Sequence, residues 1–283
     1  MRILEWIVVF YLSEEAGYHY YGGMKILKIN SDFPGEYQSE IEMAVQVLRH
    51  GGVVMHPTET CYGLAADIFN EKALERLYAL KKMDRSKPVS IMVNSAEAAK
   101  MFAEFYDVRA RGAAGEGTDG AADKGGARGA AGEGTDGAAD KGGARGAAGE
   151  ILTGGLTALF LAEKFWPGPL TLVLPRRDTL PMFLNAGIES VGIRCPGNNF
   201  CLDLIKAFGG PLTTTSANLS GCPEVYEVES YLHQLMSEQI KPDLILDGGI
   251  LSKRKPSTIV KFNGRDLDLI REGELWAYIR GSV

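Results

Sequence analysis

The chain has 283 residues, 45% of them apolar and 23% charged, with a net charge of −6. That composition excludes a disordered or fibrous chain, and the acidic balance excludes a protein whose main work is to coat nucleic acid, although it allows a local basic patch. Four cysteines without CxxC spacing (Cys61, Cys195, Cys201 and Cys222) argue against a disulfide framework or a zinc site and for reduced thiols in the cytoplasm.

Residues 1–23 open on an apolar run, MRILEWIVVFYL, broken by Glu5. It is too short to cross a bilayer and lacks a small-residue cleavage site. It reads as an upstream extension, with a membrane-surface anchor as the alternative. Met24 opens what reads as the domain proper. Apolar spacing over 36–50 predicts a helix, stopped by Gly51 and Gly52. Strand 53–55 runs into Pro57. A helix is predicted over 71–82, a strand over 89–93, and a helix over 95–106 with a Ser N-cap.

Between Ala110 and Glu150 the block ARGAAGEGTDGAADKGG appears twice in full and then in part. Its Gly density forbids a stable helix and it holds no side chain large enough for a core, so a disordered, solvated insert is expected. Such an insert is tolerated because closure entropy grows slowly with loop length. Beyond it, helices are predicted over 156–165, 200–208 and 227–236, and strands over 170–174, 191–194, 212–215, 244–246, 258–262 and 267–270. The order predicts one α/β domain over 24–109 and 151–283, a twisted mixed sheet with helices packed on it.

Hydroxyls and cations cluster at predicted strand ends: 57–64 (PTETCYGL), 81–88, 213–221 (TTTSANLSG) and 256–258 (PST). Hydroxyls, exposed amides and cations suit phosphates and carboxylates. No GxxxxGK[ST] loop or GxGxxG fingerprint is present, so a nucleotide is held by other means than in a P-loop enzyme or a Rossmann dehydrogenase. The histidines are scattered, and only His56 adjoins one of these clusters.

Seven motifs in order, HPTETCYGL, Lys87-Pro88, FWPGPLTLVL, GIRCP around Arg194, TTTSANLSG, PSTIV and the ending Ile270-Arg271-Glu272-Gly273, resemble the YrdC family. The resemblance covers nearly all of 51–273 outside the insert. It implies a YrdC-like fold in its short form and a synthase that joins L-threonine, bicarbonate and ATP into threonylcarbamoyl-AMP with release of pyrophosphate. It further implies Mg²⁺ arriving with the ATP, a downstream tRNA threonylcarbamoyltransferase as partner, tRNA itself as a further contact, and no membrane.

By that resemblance Thr58, Thr60, Tyr62, Ser190, Arg194 and Ser257 surround threonine, with Arg194 on its carboxylate. Lys81, Arg85, Lys87, Thr214, Ser216, Asn218 and Arg271 hold ATP. The family usually reads Lys-x-Arg where this chain has Lys81-Lys82-Met83, which leaves Arg85 or Lys87 to supply the missing charge. Each residue has a plainer reading beside this one. Thr58 and Thr60 cap backbone, Lys81 to Lys87 form a solvated helix end, Arg194 pairs with a structural carboxylate, and Ser216 and Asn218 form a turn. Two other readings of the whole chain are an RNA-binding YrdC-like module without synthase activity and a carbamoyl-adenylate step in hydrogenase maturation. The latter normally accompanies cysteine pairs that are not visible here.

Overall fold

The computed structural model describes residues 11–13, 18–21, 24–31, 33, 35–105, 151–153, 157–263 and 266–282. The repeat over 110–150, expected as a solvated insert, lies outside the described residues, as does most of 1–23.

The elements run β1 (Tyr11–Ser13), β2 (Tyr18–Tyr21), β3 (Met24–Lys28), α1 (Gln38–Arg49), β4 (Val54–Pro57), β5 (Tyr62–Ala65) and α2 (Glu71–Lys81). Then come β6 (Ser90–Met92), α3 (Ala96–Ala99), β7 (Ile151–Thr153), α4 (Ala158–Phe165), β8 (Leu170–Pro175), β9 (Ser190–Arg194) and α5 (Asn199–Phe208). The chain ends through β10 (Leu212–Ser216), α6 (Val228–Gln234), β11 (Leu244–Asp247), β12 (Thr258–Asn263), β13 (Asp266–Arg271) and α7 (Trp276–Arg280).

Among the described residues all strands join one sheet, in the order β1-β2-β3-β11-β4-β5-β10-β6-β9-β8-β12-β13-β7. Strand β11 lies parallel to β3 and β4, β6 to β9, and β8 to β12; the other neighbours are antiparallel. This is the mixed α/β sheet expected from the order of elements. Strands β1 and β2 extend it from β3, with Leu12 opposite His19 and His19 opposite Ile26.

Strand alternation divides the apolar side chains between two cores, as the period of two requires. Leu244 and Leu246 of β11 and Val54 of β4 pack with Ile41, Leu48, Phe200 and Leu204 of α1 and α5. Ile245 and Met55, one residue out of phase, join the larger core on the other side with α2 and α4. Both faces are therefore covered.

The helices start where their caps dictate. The Asn70 side chain accepts from Ala73 N–H at 3.2 Å, Thr157 from Phe160 at 3.0 Å, and Asn198 from Cys201 at 3.3 Å. Several expectations change. The helix predicted over 95–106 is only Ala96–Ala99, because backbone pairing wins beyond it: Glu104 N–H donates to Pro175 O and Arg177 N–H to Phe102 O, both at 2.9 Å. None of β1, β2, β3, β5, β7 and α7 is predicted from the sequence; Tyr62–Ala65 folds back on β4 as a hairpin. Among the described residues no helix is long and apolar enough to cross a membrane.

Ile193 on central strand β9 is fully buried and Ile250 is 82% exposed. Ile193→Ala should cost about 2–5 kcal/mol of unfolding free energy and Ile250→Ala less than about 0.5 kcal/mol, read from urea denaturation midpoints.

Candidate active site

One hydroxyl builds the turn between β4 and β5. Thr58 Oγ1 donates to the Cys61 carbonyl at 2.6 Å and accepts from the N–H groups of Thr60 and Cys61 at 3.1 and 3.3 Å. This is the local turn that a threonine side chain favours. It sets Thr58 and Thr60 in the wall of a cleft of about 220 Å³. Tyr62, Arg194, Thr214, Ser216, Ser257 and Arg271 line the same cleft. Segments far apart in sequence thus meet in one place, through β5, β9, β10, β12 and β13.

Arg194 is buried against a carboxylate of the protein itself. Its Nη2 lies 2.6 Å from Glu59 Oε1 and donates to Thr60 Oγ1 at 3.4 Å. The same Glu59 oxygen accepts from Gly197 N–H at 2.8 Å. Among the described residues Arg194 Nε and Glu59 Oε2 are buried without a hydrogen-bond partner. The resemblance offers Arg194 to a substrate carboxylate; in this fold Glu59 already holds one of its donors.

Arg271 is held differently. Its Nε donates to the Ser257 carbonyl at 3.0 Å and its Nη2 to Ser257 Oγ at 2.8 Å, while Nη1 stands 3.8 Å from Glu224 Oε1. Burial pushes the guanidinium below its usual pKa, partly offset by Glu224. Ser257 Oγ is also 3.2 Å from Thr171 Oγ1. The approach is tight: a Cβ on Gly273 would overlap the backbone of 256–258, so glycine is required there.

Tyr62 is fully buried. Its hydroxyl donates to the Gly249 carbonyl at 2.8 Å and accepts from Gly248 N–H at 2.9 Å. Burial and the nearby Asp247 hold the phenol far above its ordinary pKa. Ser216 Oγ donates to Asn218 Oδ1 at 2.6 Å, and Asn218 Nδ2 donates to the carbonyls of Leu219 and Cys222. Beneath this loop the buried Lys81 ammonium donates to the Ser216 carbonyl and to Asn218 O and Oδ1. Burial pushes it down to about 8.

Five expected residues stand outside the lining. Lys81 and Asn218 support the loop from behind rather than facing the cleft. Arg85 is exposed and paired with Glu75 at 3.1 Å. Lys87 is exposed, its carbonyl taken by the Tyr78 hydroxyl at 2.8 Å. Ser190 also lies apart, at the start of β9 opposite Pro175. Met83 packs against the larger core, so the position that breaks the Lys-x-Arg pattern contributes packing.

Sequence reasoning missed Glu59 and Glu224, which carry no spacing signal, and Ser90, which lines the cleft against Gly192. It also missed Asn185, whose side chain accepts from Val89 N–H and donates to Val89 O, both at 2.9 Å, fixing one wall. Among the described residues no group of three His, Cys, Asp or Glu side chains could hold a metal ion.

A mixed twisted sheet with both faces covered, opening a cleft of alcohols and guanidinium groups at its strand ends, defines the class. The chain belongs to the Sua5/YciO/YrdC family, whose model, described as "Telomere recombination", matches residues 46–117 and 153–273. A threonylcarbamoyl-AMP synthase of Pyrococcus abyssi is 26% identical over 236 residues, 83% of this chain and 54% of that protein. A Bacillus subtilis protein of the same name is 30% identical over 78% of this chain and 49% of its own length. The chain thus spans about half the length of these relatives. It spans 93% of a putative threonylcarbamoyl-AMP synthase of Methanocaldococcus jannaschii, 26% identical over 88% of this chain. Among solved structures, P. abyssi Sua5 complexed with L-threonine superposes with a TM-score of 0.60 at 25% identity, covering 84% of this chain and 54% of that one. E. coli YciO shares the fold, with a TM-score of 0.63 at 21% identity over 89% of this chain and 98% of that chain.

His56 lies just before the hairpin turn, wholly buried, with Nδ1 3.1 Å from the Pro57 carbonyl. Burial pushes its pKa down from 6.5 to about 4. Between those values the unfolded chain takes up a proton that the folded chain refuses, so stability falls as pH drops from about 6.5 to about 4. The loss should reach about 3 kcal/mol and be absent from His56→Gln, as measured by urea denaturation at pH 7 and pH 4.5.

Proposed function

We propose that the chain is a threonylcarbamoyl-AMP synthase that makes threonylcarbamoyl-AMP and pyrophosphate from L-threonine, bicarbonate and ATP. The observation that carries this reading is the convergence of Arg194, Arg271 and at least five hydroxyl side chains on one cleft, in a chain whose relatives bear that name. The threonine-bound neighbour supports the amino-acid half of the reading.

The chemistry asks for positioning and charge neutralisation rather than a triad. The threonine amine adds to carbon dioxide released from bicarbonate. The resulting carbamate oxygen attacks the α-phosphorus, and pyrophosphate leaves as the bond from the α-phosphorus to the oxygen bridging it to the β-phosphorus breaks. Arg271, supported on Ser257, would neutralise phosphate charge, with Thr214 and Ser216 donating to phosphate oxygens. Arg194, with Thr58 and Thr60 beside it, would receive the threonine carboxylate on the donors that Glu59 leaves free. Lys81 would hold the Ser216–Asn218 loop in place.

Magnesium fits this cleft only as an ion carried on the triphosphate. Among the described residues the sole carboxylate in the lining is Glu224, and the other side-chain oxygen or sulfur ligands are hydroxyls and a thiol. The ion would screen phosphate charge when bound. The product is a labile mixed anhydride, so a tRNA threonylcarbamoyltransferase would consume it in the cytoplasm, with tRNA as a further contact.

Purified protein should release pyrophosphate from ATP only when both threonine and bicarbonate are present, as read by a coupled pyrophosphate assay. Arg271→Ala should lower kcat/KM about a hundredfold or more, whereas Arg85→Ala, outside the cleft, should change it less than about threefold. ATP binding without threonine-dependent release would overturn the synthase reading.

A further inference from the structure

The Glu59–Arg194 pair is built in a way that stability alone does not explain. One carboxylate oxygen gathers both available donors, Arg194 Nη2 at 2.6 Å and Gly197 N–H at 2.8 Å. Among the described residues the other oxygen has no partner, and neither does Arg194 Nε. A buried ion pair left half satisfied on both sides adds little to folding, because desolvation offsets its attraction. What it does supply is direction. An arginine has many rotamers and a rigid planar fork; a carboxylate anchored elsewhere selects one orientation of that fork.

Glu59 is anchored from both sides. The Thr58 turn fixes its backbone, and Gly197 fixes its side chain. Gly197 is packed closely enough that a Cβ there would lie 3.3 Å from Gly168 Cα and 3.5 Å from Glu59 Oε1. The residue therefore ties together the β4–β5 turn, the end of β9 and the segment leading into α5.

We propose that Glu59 is a positioning residue for Arg194, presetting the guanidinium to receive the carboxylate of the amino-acid substrate. The inference rests on the synthase reading and deepens it. Glu59 keeps the buried cation partnered while the cleft is empty. It occupies Nη2 alone, and a guanidinium has five N–H donors, enough to serve a second carboxylate beside the first.

The test uses Glu59→Gln, which retains an acceptor for Gly197 but removes the charge that orients Arg194, and Glu59→Asp, which retains the charge on a shorter arm. L-Threonine is titrated calorimetrically, and steady-state pyrophosphate release gives KM and kcat. Glu59→Gln should raise the threonine KM roughly tenfold or more, with the KM for ATP and kcat within about threefold, and Glu59→Asp should fall between it and the wild type. In an Arg194→Ala background Glu59→Gln should add no further loss, since the two act as one unit. An unchanged or lowered threonine KM, or a full additional loss in the Arg194→Ala background, would overturn the inference. If Glu59→Gln does not fold, the same comparisons with Glu59→Asp decide it. A wild type that neither binds threonine nor releases pyrophosphate sinks the synthase reading instead, so the two failures are told apart.

Discussion

Strand β10 lies hydrogen-bonded between β5 and β6, and the cleft depends on that pairing. The register sets Thr215 opposite Leu64 and Ser216 opposite Gly63 on one side, and Thr214 opposite Ser90 on the other. Because side chains alternate with a period of two, a slip of one residue would carry Leu212 out of its core and turn Thr214 and Ser216 to the opposite face. The register is held by burial: Leu212 packs into the core with α1 and α5, while Ile91 and Leu64 pack into the other. Two apolar cores thus fix the placement of a polar site that could not fix itself.

The polar groups satisfy the fold before they face a ligand. Thr58 closes a turn, Tyr62 pins the 247–249 loop, and Lys81 serves the carbonyls behind Ser216 and Asn218. Burial of the ammonium among neutral carbonyls lowers its pKa, and the influence of Cys61 and Glu224 offsets only part of that desolvation. Orienting the loop from behind leaves its front free. The plain structural readings and the functional ones are therefore complementary for these residues. The Thr58 hydroxyl that caps a turn also fixes where the cleft wall stands.

Most of the sheet and the helices were legible because apolar spacing, a cap and short apolar runs state them directly: the helical spacing over 36–50, the Ser N-cap at 95, and the run Leu244–Leu246 in β11. Strand β5 was hidden because Tyr62–Ala65 is a short run without alternation, and it becomes a strand only when the Thr58 turn folds it onto β4. The end of α3 was hidden because the competing bonds come from Pro175 and Arg177, more than seventy residues away. In the site, the hydroxyl-rich motifs marked Thr58, Thr60, Thr214, Ser216 and Ser257, and GIRCP marked Arg194. Glu59 and Glu224 left no local signal, since the partners that give them meaning, Arg194 and Arg271, are distant in sequence.

The exposed cations show why sequence proximity misleads for charge. Arg85 and Lys87 follow Lys81 within six residues, yet Lys82 ends α2 in the left-handed conformation and sends the chain outward. Arg85 then finds Glu75 on the solvent side, an exposed pair worth little. Arg194 and Arg271, which share no segment, line one cleft instead, Arg194 buried and Arg271 partly exposed, so that the charge of Arg194 in particular is weakly screened. Positive charge at this site is concentrated by strand register, not by runs of basic residues. That concentration is compatible with a chain that is acidic overall, because the buried Arg194 and the half-buried Arg271 outweigh many distant solvated charges at the range over which a phosphate or a carboxylate is recognised.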